Sequence, residues 1–341
     1  MKEKVGIGII GTGIITGKHI QAINLLENGQ LLGLMAYSQA NAKEAEQTFG
    51  TKVYTDLDAF LSIPGLDLVV ICTPSGHHME YALVAAKAGK HVLIEKPIEV
   101  TLEKADLIIN SCKSSGVKCG VIFQNRFSQD YIKLKQAVND GKLGKLLMGN
   151  AHINWYRTEE YYNSSNWKGT LSGDGGGAFI NQGIHTIDLL LDIMGDVKMV
   201  FGKIDSIYHT IEGEDIGAAV LNFKNGALGS ITASTALYPG YPERLEIYGS
   251  LGSVILEAGK LIAWNIKGED LQVSSPDFSI VSGSSDPMAI GFQLHLEQYR
   301  DIVSAILLDR EPLVNGLTAR KSLELILTIY KSSKTNEPIF Y

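Results

Sequence analysis

Cysteine is nearly absent. The chain has three in 341 residues, Cys72, Cys112 and Cys119. Their spacing forms neither a disulfide framework nor a metal-ligand pattern, and an odd, low count fits a reducing compartment. No metal centre is expected. Positive charge is also short: 30 Lys and Arg stand against 37 Asp and Glu, a formal net charge of −7. No basic block occurs, which argues against a nucleic-acid partner. Long apolar runs are missing too, since nothing approaches the roughly 18 residues of a membrane span. The N-terminal MKEKVGIGIIGTGII has no small-residue cleavage site and is broken by glycines, so it reads as a buried strand rather than a signal peptide. A cytoplasmic protein with no membrane partner is the expectation.

Glycine, by contrast, is in surplus: 36 of 341 residues, against a usual share of about 7%. With 45% hydrophobic residues the chain can bury a sizeable core, and its length suggests two domains at about 100–200 residues each. Short apolar runs at Val5–Ile10, Leu31–Tyr37, Asp67–Cys72, His91–Glu95 and Lys118–Phe123 alternate with helical patterns at 15–26, 40–49, 79–88 and 102–115. That grammar predicts parallel βαβ units with helices on both faces. After Gln124 it changes. A helix at Tyr131–Asp140 precedes looser strands at 147–156, 199–210, 218–222, 228–236 and 243–248, interrupted by a helix at Ala178–Met194. A turn-rich segment, Ser274–Pro287, leads to helices at 292–308 and 317–332. The fold class is therefore α/β: a domain of parallel βαβ units over 1–123, then an α+β domain over 124–341 with a mostly antiparallel sheet. The 317–332 helix is expected to pack back on the first domain.

Gly11-Thr12-Gly13 lies between the first strand and the first helix, where a dinucleotide fold turns tightly and aims helix N–H groups at a pyrophosphate. The third fingerprint position is Thr16, with Gly17 one place late. The second strand ends Ala36-Tyr37-Ser38-Gln39, without the acid that grips an adenosine ribose or an arginine for a 2′-phosphate. Ser38 is the candidate there, and NAD versus NADP stays open. Lys96, in Glu95-Lys96-Pro97, closes the fifth apolar run at the carboxyl edge of the sheet, where a lysine can stabilise the oxyanion formed as hydride leaves an alcohol. His185 titrates near neutrality and suits removal of the hydroxyl proton. Asn181 precedes it by four residues, so a helix puts both on one face, and Asp188 is placed to orient the imidazole.

Gly-Thr-Gly-Ile-Ile at 11–15, Cys-Thr-Pro at 72–74 with His78, Glu-Lys-Pro at 95–97 and Gly-Gly-Gly-x₃-Asn-x₃-His at 175–185 occur in that order. Together they resemble the Gfo/Idh/MocA family of oxidoreductases. The resemblance implies an N-terminal Rossmann dinucleotide-binding domain followed by a domain with a large, mostly antiparallel open sheet, and hydride transfer between a nicotinamide cofactor and a sugar or polyol, with Lys96 and His185 at the site. It further implies that Gly11, Thr12, Gly13, Ile14, Ile15, Thr73, Pro74, His78 and Gln124 line the cofactor, that Glu95, Lys96 and Pro97 sit beside the nicotinamide ribose, that a cis peptide precedes Pro97, and that the open sheet joins a homodimer or homotetramer. Many relatives carry Asp where this chain has Asn181, and an amide relays no proton.

Arg126, Trp155-Tyr156-Arg157, Tyr161-Tyr162, Trp167-Lys168 and Asn-Gln-Gly-Ile-His at 181–185 look like the branch containing UDP-N-acetylglucosaminuronate 3-dehydrogenases. Lys168 stands where arginine is usual in that branch. Aromatic faces suit a sugar or uracil, and Arg126, Arg157 and Lys168 suit anionic groups; Tyr156, Trp167, Asn181 and His185 complete the substrate candidates. The preferred substrate is C3 of a UDP-hexuronate. The alternatives are a free sugar or polyol such as inositol or glucose, an NAD-dependent glycosidase, and a non-catalytic cofactor-binding sensor. Gly173 and Gly175–Gly177 are expected to let backbone approach the nicotinamide and substrate.

Overall fold

The β-branched run Val5–Ile10 forms β1, and all six of its residues are buried, as a strand covered on both faces requires. In the computed structural model, which describes residues 3–269 and 291–341, β1 is followed by α1 (Thr16–Ile23), β2 (Gly29–Met35), α2 (Gln39–Phe49), β3 (Val53–Tyr54), α3 (Leu57–Leu61), β4 (Leu66–Ile71), α4 (His78–Lys87), β5 (His91–Ile94), α5 (Leu102–Ser114) and β6 (Cys119–Val121). These strands make one sheet in the order β3-β2-β1-β4-β5-β6, parallel throughout. This is the doubly wound order whose strand reversal beside β1 opens a ligand crevice at the carboxyl edge. Side-chain caps start the helices: Thr101 accepts from the Lys104 amide to begin α5, and Asp56 from Ala59 to begin α3, each satisfying a donor the first turn leaves open.

The second set of elements is α6 (Gln129–Asn139), β7 (Leu146–Asn154), α7 (Glu159–Asn163), a π-helix (Ala178–Gly183), α8 (Ile184–Met194), β8 (Val197–Asp205), β9 (Ile216–Phe223), β10 (Leu228–Ser234), β11 (Arg244–Gly249), β12 (Gly252–Glu257) and β13 (Lys260–Ile266). The chain ends in α9 (Gln293–Leu307), α10 (Gly316–Thr335) and β14 (Ile339–Phe340). The predicted turn-rich segment Ser274–Pro287 lies outside the described residues. The second sheet has eight strands in the order β13-β12-β11-β7-β10-β9-β8-β14. It is antiparallel except where β7 lies parallel to β10. Helix α8 covers one face of this sheet. It comes close at Gly149 of β7, where a Cβ would stand 2.7 Å from Met194 Cγ and 2.9 Å from Leu190 Cδ1.

The chain divides into two units, Met1–Gln124 with Gly291–Arg320, and Asn125–Ile290 with Lys321–Tyr341. Residues 291–320 thus group with the first unit, not with the second as sequence order suggests. The physical reason is the apolar face of α9: Leu296, Tyr299, Ile302 and Val303 join Ile7, Ile9 and Ile20 in one buried cluster. Likewise only Gly316–Arg320 of α10 belongs to the first unit, and the rest of that helix packs in the second.

Candidate active site

In the first unit the glycine loop is shaped by sterics. Gly11 has φ +112°, and a Cβ there would lie 2.5 Å from the Cys72 carbonyl oxygen; only glycine tolerates both. Gly13 is different, for a Cβ on it would meet nothing within 4 Å. The fold has no need of glycine at 13, so the open space it leaves fits a ligand. Helix α1 starts at Ile15 with no side-chain cap and no acid in its first turn, which leaves its amide dipoles facing outward as an anion cradle. Thr16 Oγ1 donates to the Gly11 carbonyl oxygen at 3.1 Å and steadies the turn; Thr12 is half-buried and Ile14 is exposed. These residues fit a dinucleotide pyrophosphate. Gly13→Ala should therefore leave the melting temperature unchanged while raising the Kd for NADH about tenfold or more; equal affinity in a fluorescence titration would remove the cradle from cofactor binding.

Other expected cofactor residues have structural duties. Ser38 is the cap of α2: its oxygen accepts from the Asn41 amide at 3.2 Å and its hydroxyl donates to the Asn41 side chain, so the hydroxyl proposed for a ribose or phosphate is already engaged. His78 is fully buried. Its Nδ1 lies 2.9 Å from the Pro97 carbonyl oxygen and its Nε2 3.0 Å from that of Thr73. Burial lowers its pKa, the two carbonyls and nearby acids only partly countering. Such a ring cannot touch a ligand; it ties the Thr73-Pro74 loop to the Lys96-Pro97 turn. The Lys96-Pro97 peptide is cis. Gln124, next to β6, is also buried. Burial would raise the Glu95 pKa, but the hydrogen bond and charge of His19, with His295 and Lys96, bring it down to about 2. Its Oε2 accepts the Lys96 N–H at 3.1 Å.

In the second unit the segment expected to be one helix begins as a π-helix, Ala178–Gly183, and becomes α-helical at Ile184. Such wide turns gather at functional sites. Asn181, Gln182 and His185 are partly exposed while Phe179, Ile180, Ile184, Thr186 and Ile187 are buried, so the polar positions share one accessible side. Asn181 Nδ2 donates to Asp174 Oδ1 at 2.6 Å, and Asp174 Oδ2 accepts the Gly169 amide at 2.8 Å. Glu214, which the sequence did not single out, anchors the start of the π-helix. It accepts from the Gly177 amide at 2.9 Å, the Phe179 amide at 2.7 Å and the Tyr330 hydroxyl at 2.8 Å. The glycine run serves that anchor: a Cβ on Gly177 would lie 1.8 Å from the Glu214 carbonyl oxygen. Gly176 is seated against Tyr330 and Ile180, and Gly173 against Trp167 and Thr170.

Asp188 does not orient His185. Its Oδ2 takes Arg126 Nε at 2.6 Å, and its Oδ1 takes Arg126 Nη2 at 2.9 Å and Ser322 Oγ at 3.0 Å. Arg126 also meets Asp192 at 2.9 Å and is 7% exposed, which withdraws it from the list of substrate cations. Arg157 is buried; it donates to the Tyr156 carbonyl oxygen at 2.9 Å and to Gln182 Oε1 at 3.3 Å. Its guanidinium lies 4.9 Å from the Trp155 ring centre and 5.4 Å from that of Tyr161. Lys168 Nζ lies 4.3 Å from the same Tyr161 ring and 6.0 Å from Trp167. Burial, partly countered by Asp174, and the charge of Arg157 lower the Lys168 pKa. Lys168 lines an open cleft of ≈ 600 Å³. Tyr156 stacks edge-on with Tyr238 at 5.4 Å and sits 6.4 Å from Tyr208; the latter two are 80% and 56% exposed.

Comparison with known proteins places these two halves. Residues 5–123 match the oxidoreductase family with an NAD-binding Rossmann fold, and residues 131–255 the GFO/IDH/MocA C-terminal domain. The chain is 30% identical to the myo-inositol 2-dehydrogenase of Thermotoga maritima over 74% of its own length and 75% of the relative's. It is 24% identical to the NADP(+) scyllo-inositol 2-dehydrogenase IolW of Bacillus subtilis, over 98% and 94%. The WlbA dehydrogenase of Bordetella pertussis, solved with NADH and UDP-GlcNAcA, superposes with a TM-score of 0.87 at 28% identity, covering 99% of both chains. With a dinucleotide cradle in one unit and a matching family domain in the other, the chain belongs to the GFO/IDH/MocA family of NAD-binding oxidoreductases.

Proposed function

We propose that this oxidoreductase transfers hydride between NAD or NADP and a secondary alcohol of an anionic sugar, with C3 of a UDP-hexuronate as the preferred substrate. The observation that carries the anionic substrate is the pair of cations on Tyr161. Arg157 and Lys168 share one ring, and crowding two positive charges at a partly desolvated place is costly unless anions join them. Burial and the charge of Arg157 act against the charged form of Lys168 and Asp174 only partly counters them, so a substrate carboxylate beside Lys168 would stabilise it further. A neutral polyol has no such use for the arrangement. The WlbA structure, with its nucleotide-linked uronate, agrees with this choice. The inositol dehydrogenases among the relatives support a free polyol as the second reading.

When bound, the nicotinamide supplies the hydride acceptor. In this reading His185 takes the hydroxyl proton, Lys96 donates to the oxygen as negative charge develops on it, and Asn181 and Arg157 orient the ring. Asn181 is held by Asp174, so it positions and does not relay a proton. Assembly of a homo-oligomer through the open sheet is part of the same proposal. Lys168→Ala should raise KM for a UDP-hexuronate about tenfold and leave KM for the matching UDP-hexose, which lacks the sugar carboxylate, nearly unchanged. Following reduced cofactor by absorbance with UDP-sugars, free sugars and inositols decides the matter; turnover of inositol with none of the UDP-hexuronate would overturn the proposal.

A further inference from the structure

Within the first unit, three elements converge on the Glu95 carboxylate. It leaves the end of β5, where the Glu95 amide donates to the Ile71 carbonyl oxygen at 2.9 Å. From α1, His19 Nε2 lies 2.9 Å from Oε1; from α9, the Tyr299 hydroxyl lies 2.8 Å from His19 Nδ1. His19 and Tyr299 are both wholly buried, and the Glu95 side chain is 12% exposed. The second carboxylate oxygen accepts the Lys96 N–H.

We propose that His19 is a positioning residue for Lys96, acting through the Glu95 carboxylate. The inference rests on the reading of Lys96 as the donor to the reacting oxygen. His19 Nε2 faces the carboxylate and its Nδ1 faces the Tyr299 hydroxyl, so the imidazole bridges the two. The bond order then runs from Tyr299 to His19 to Glu95, and the carboxylate so fixed holds the Lys96 peptide. A satisfied buried network of this kind is stiff, and displacement of a reacting group by about 1 Å can cost about 10²-fold in rate. Because His19 lies in the helix that follows the glycine loop, the network also ties the strand end bearing Lys96 to the element that cradles the pyrophosphate.

His295 is the bystander that sharpens the case. Its Nε2 stands 4.0 Å from Glu95 Oε1, beyond hydrogen-bond reach, and its Nδ1 has no hydrogen-bond partner among the described residues. Burial and the neighbouring His19 outweigh Glu95 and lower its pKa to about 4, so it is neutral at physiological pH and does not compete for the carboxylate. The rival arrangement is a metal ion, because donor atoms of His19, Glu95 and His295 all lie within 4.8 Å of one another.

The test compares His19→Leu, His19→Gln and Tyr299→Phe in the full chain. Turnover, NADH binding by fluorescence, and exchange of the Lys96 amide by deuterium-exchange mass spectrometry are measured on each. His19→Leu should lower kcat roughly 10²-fold and hold the Kd for NADH within about threefold. Its Lys96 amide should exchange at least about tenfold faster. His19→Gln, which keeps an N–H donor, should recover about tenfold of the lost kcat. If the leucine variant fails to fold, Tyr299→Phe carries the test, with kcat about fivefold lower and faster Lys96 exchange. Wild-type kcat and exchange in a folded His19→Leu or in Tyr299→Phe would overturn the proposal, as would a loss that glutamine does not relieve. One equivalent of zinc held by the wild type and lost in His295→Ala would also overturn it, since a metal would then be holding Glu95. Full turnover in Lys96→Ala would instead defeat the reading of Lys96 and leave the exchange result intact.

Discussion

With Lys96 replaced by alanine, kcat is expected to fall roughly 10²–10³-fold while the Kd for NADH stays within about threefold. The two numbers separate because the two tasks are done by different atoms. On the proposed reading, cofactor affinity would come from backbone: the turn at Gly11, the open space over Gly13 and the start of α1, which has no side-chain cap. On the same reading Lys96 would contribute a single ammonium whose interaction with the alcohol oxygen strengthens only as that oxygen gains charge, so its loss would appear in the rate of the chemical step. Lys96→Arg should recover little, because a planar guanidinium puts its donors elsewhere. Stopped-flow measurement of the first turnover is the appropriate check, since slow product release masks a loss of this kind in steady state. Unchanged first-turnover rates in Lys96→Ala would remove the lysine from the reaction.

The largest expected effect on stability is at Asp188. Replacing it with alanine leaves Arg126, 7% exposed, with only Asp192 as a carboxylate partner, and should destabilise the second unit by about 3–5 kcal/mol. Burial raises the Asp188 pKa even though Arg126 and Ser322 pull it down, so the charge is carried at a cost that Arg126 offsets. The pair is therefore replaceable but not divisible. Arg126→Met with Asp188→Leu should be close to neutral, because both desolvated charges leave together, while Asp192 keeps Tyr131 and Lys135. Urea denaturation of the single and double variants tests the pattern; a loss under about 1 kcal/mol in Asp188→Ala would show that the pair is not the brace described. The same experiment separates this role from substrate binding, in which case Arg126→Met would change KM and spare stability.

The first sheet was legible in the sequence because a strand buried on both faces reads as an unbroken apolar run, as Val5–Ile10 and Asp67–Cys72 do. Short elements were not: β3 has two residues and α3 five, too few for either period to register. The β12–β13 hairpin escaped for another reason. Its turn is Ala258-Gly259, both with positive φ, at 48° and 71°, and alanine at the first position hides a turn that Asn or Asp would announce. At the site, residue types drew attention to Gly11, Lys96, Asn181 and His185. They misled at Arg126 and Asp188, because a buried arginine and an exposed one look alike in sequence, and their 62-residue separation leaves no local pattern. Glu214 gave no signal for the same reason: its donors lie 35 and 37 residues away. His19 was within reach, four residues past Ile15 in the first helix, but its partners Glu95 and Tyr299 come from the far end of the sheet and from α9.

Gly149 sits far from His185 in sequence, yet it sets the seat of the helix that carries it. Met194 and Leu190, near the end of α8, rest where the Gly149 side chain would be, and α8 is an 11-residue rod about 16 Å long. Even a methyl group at 149 would act as a shim under one end of that rod. Lifting one end of a stiff lever tilts the other, so the aim of the imidazole is gauged by the thickness of a strand residue that never meets it.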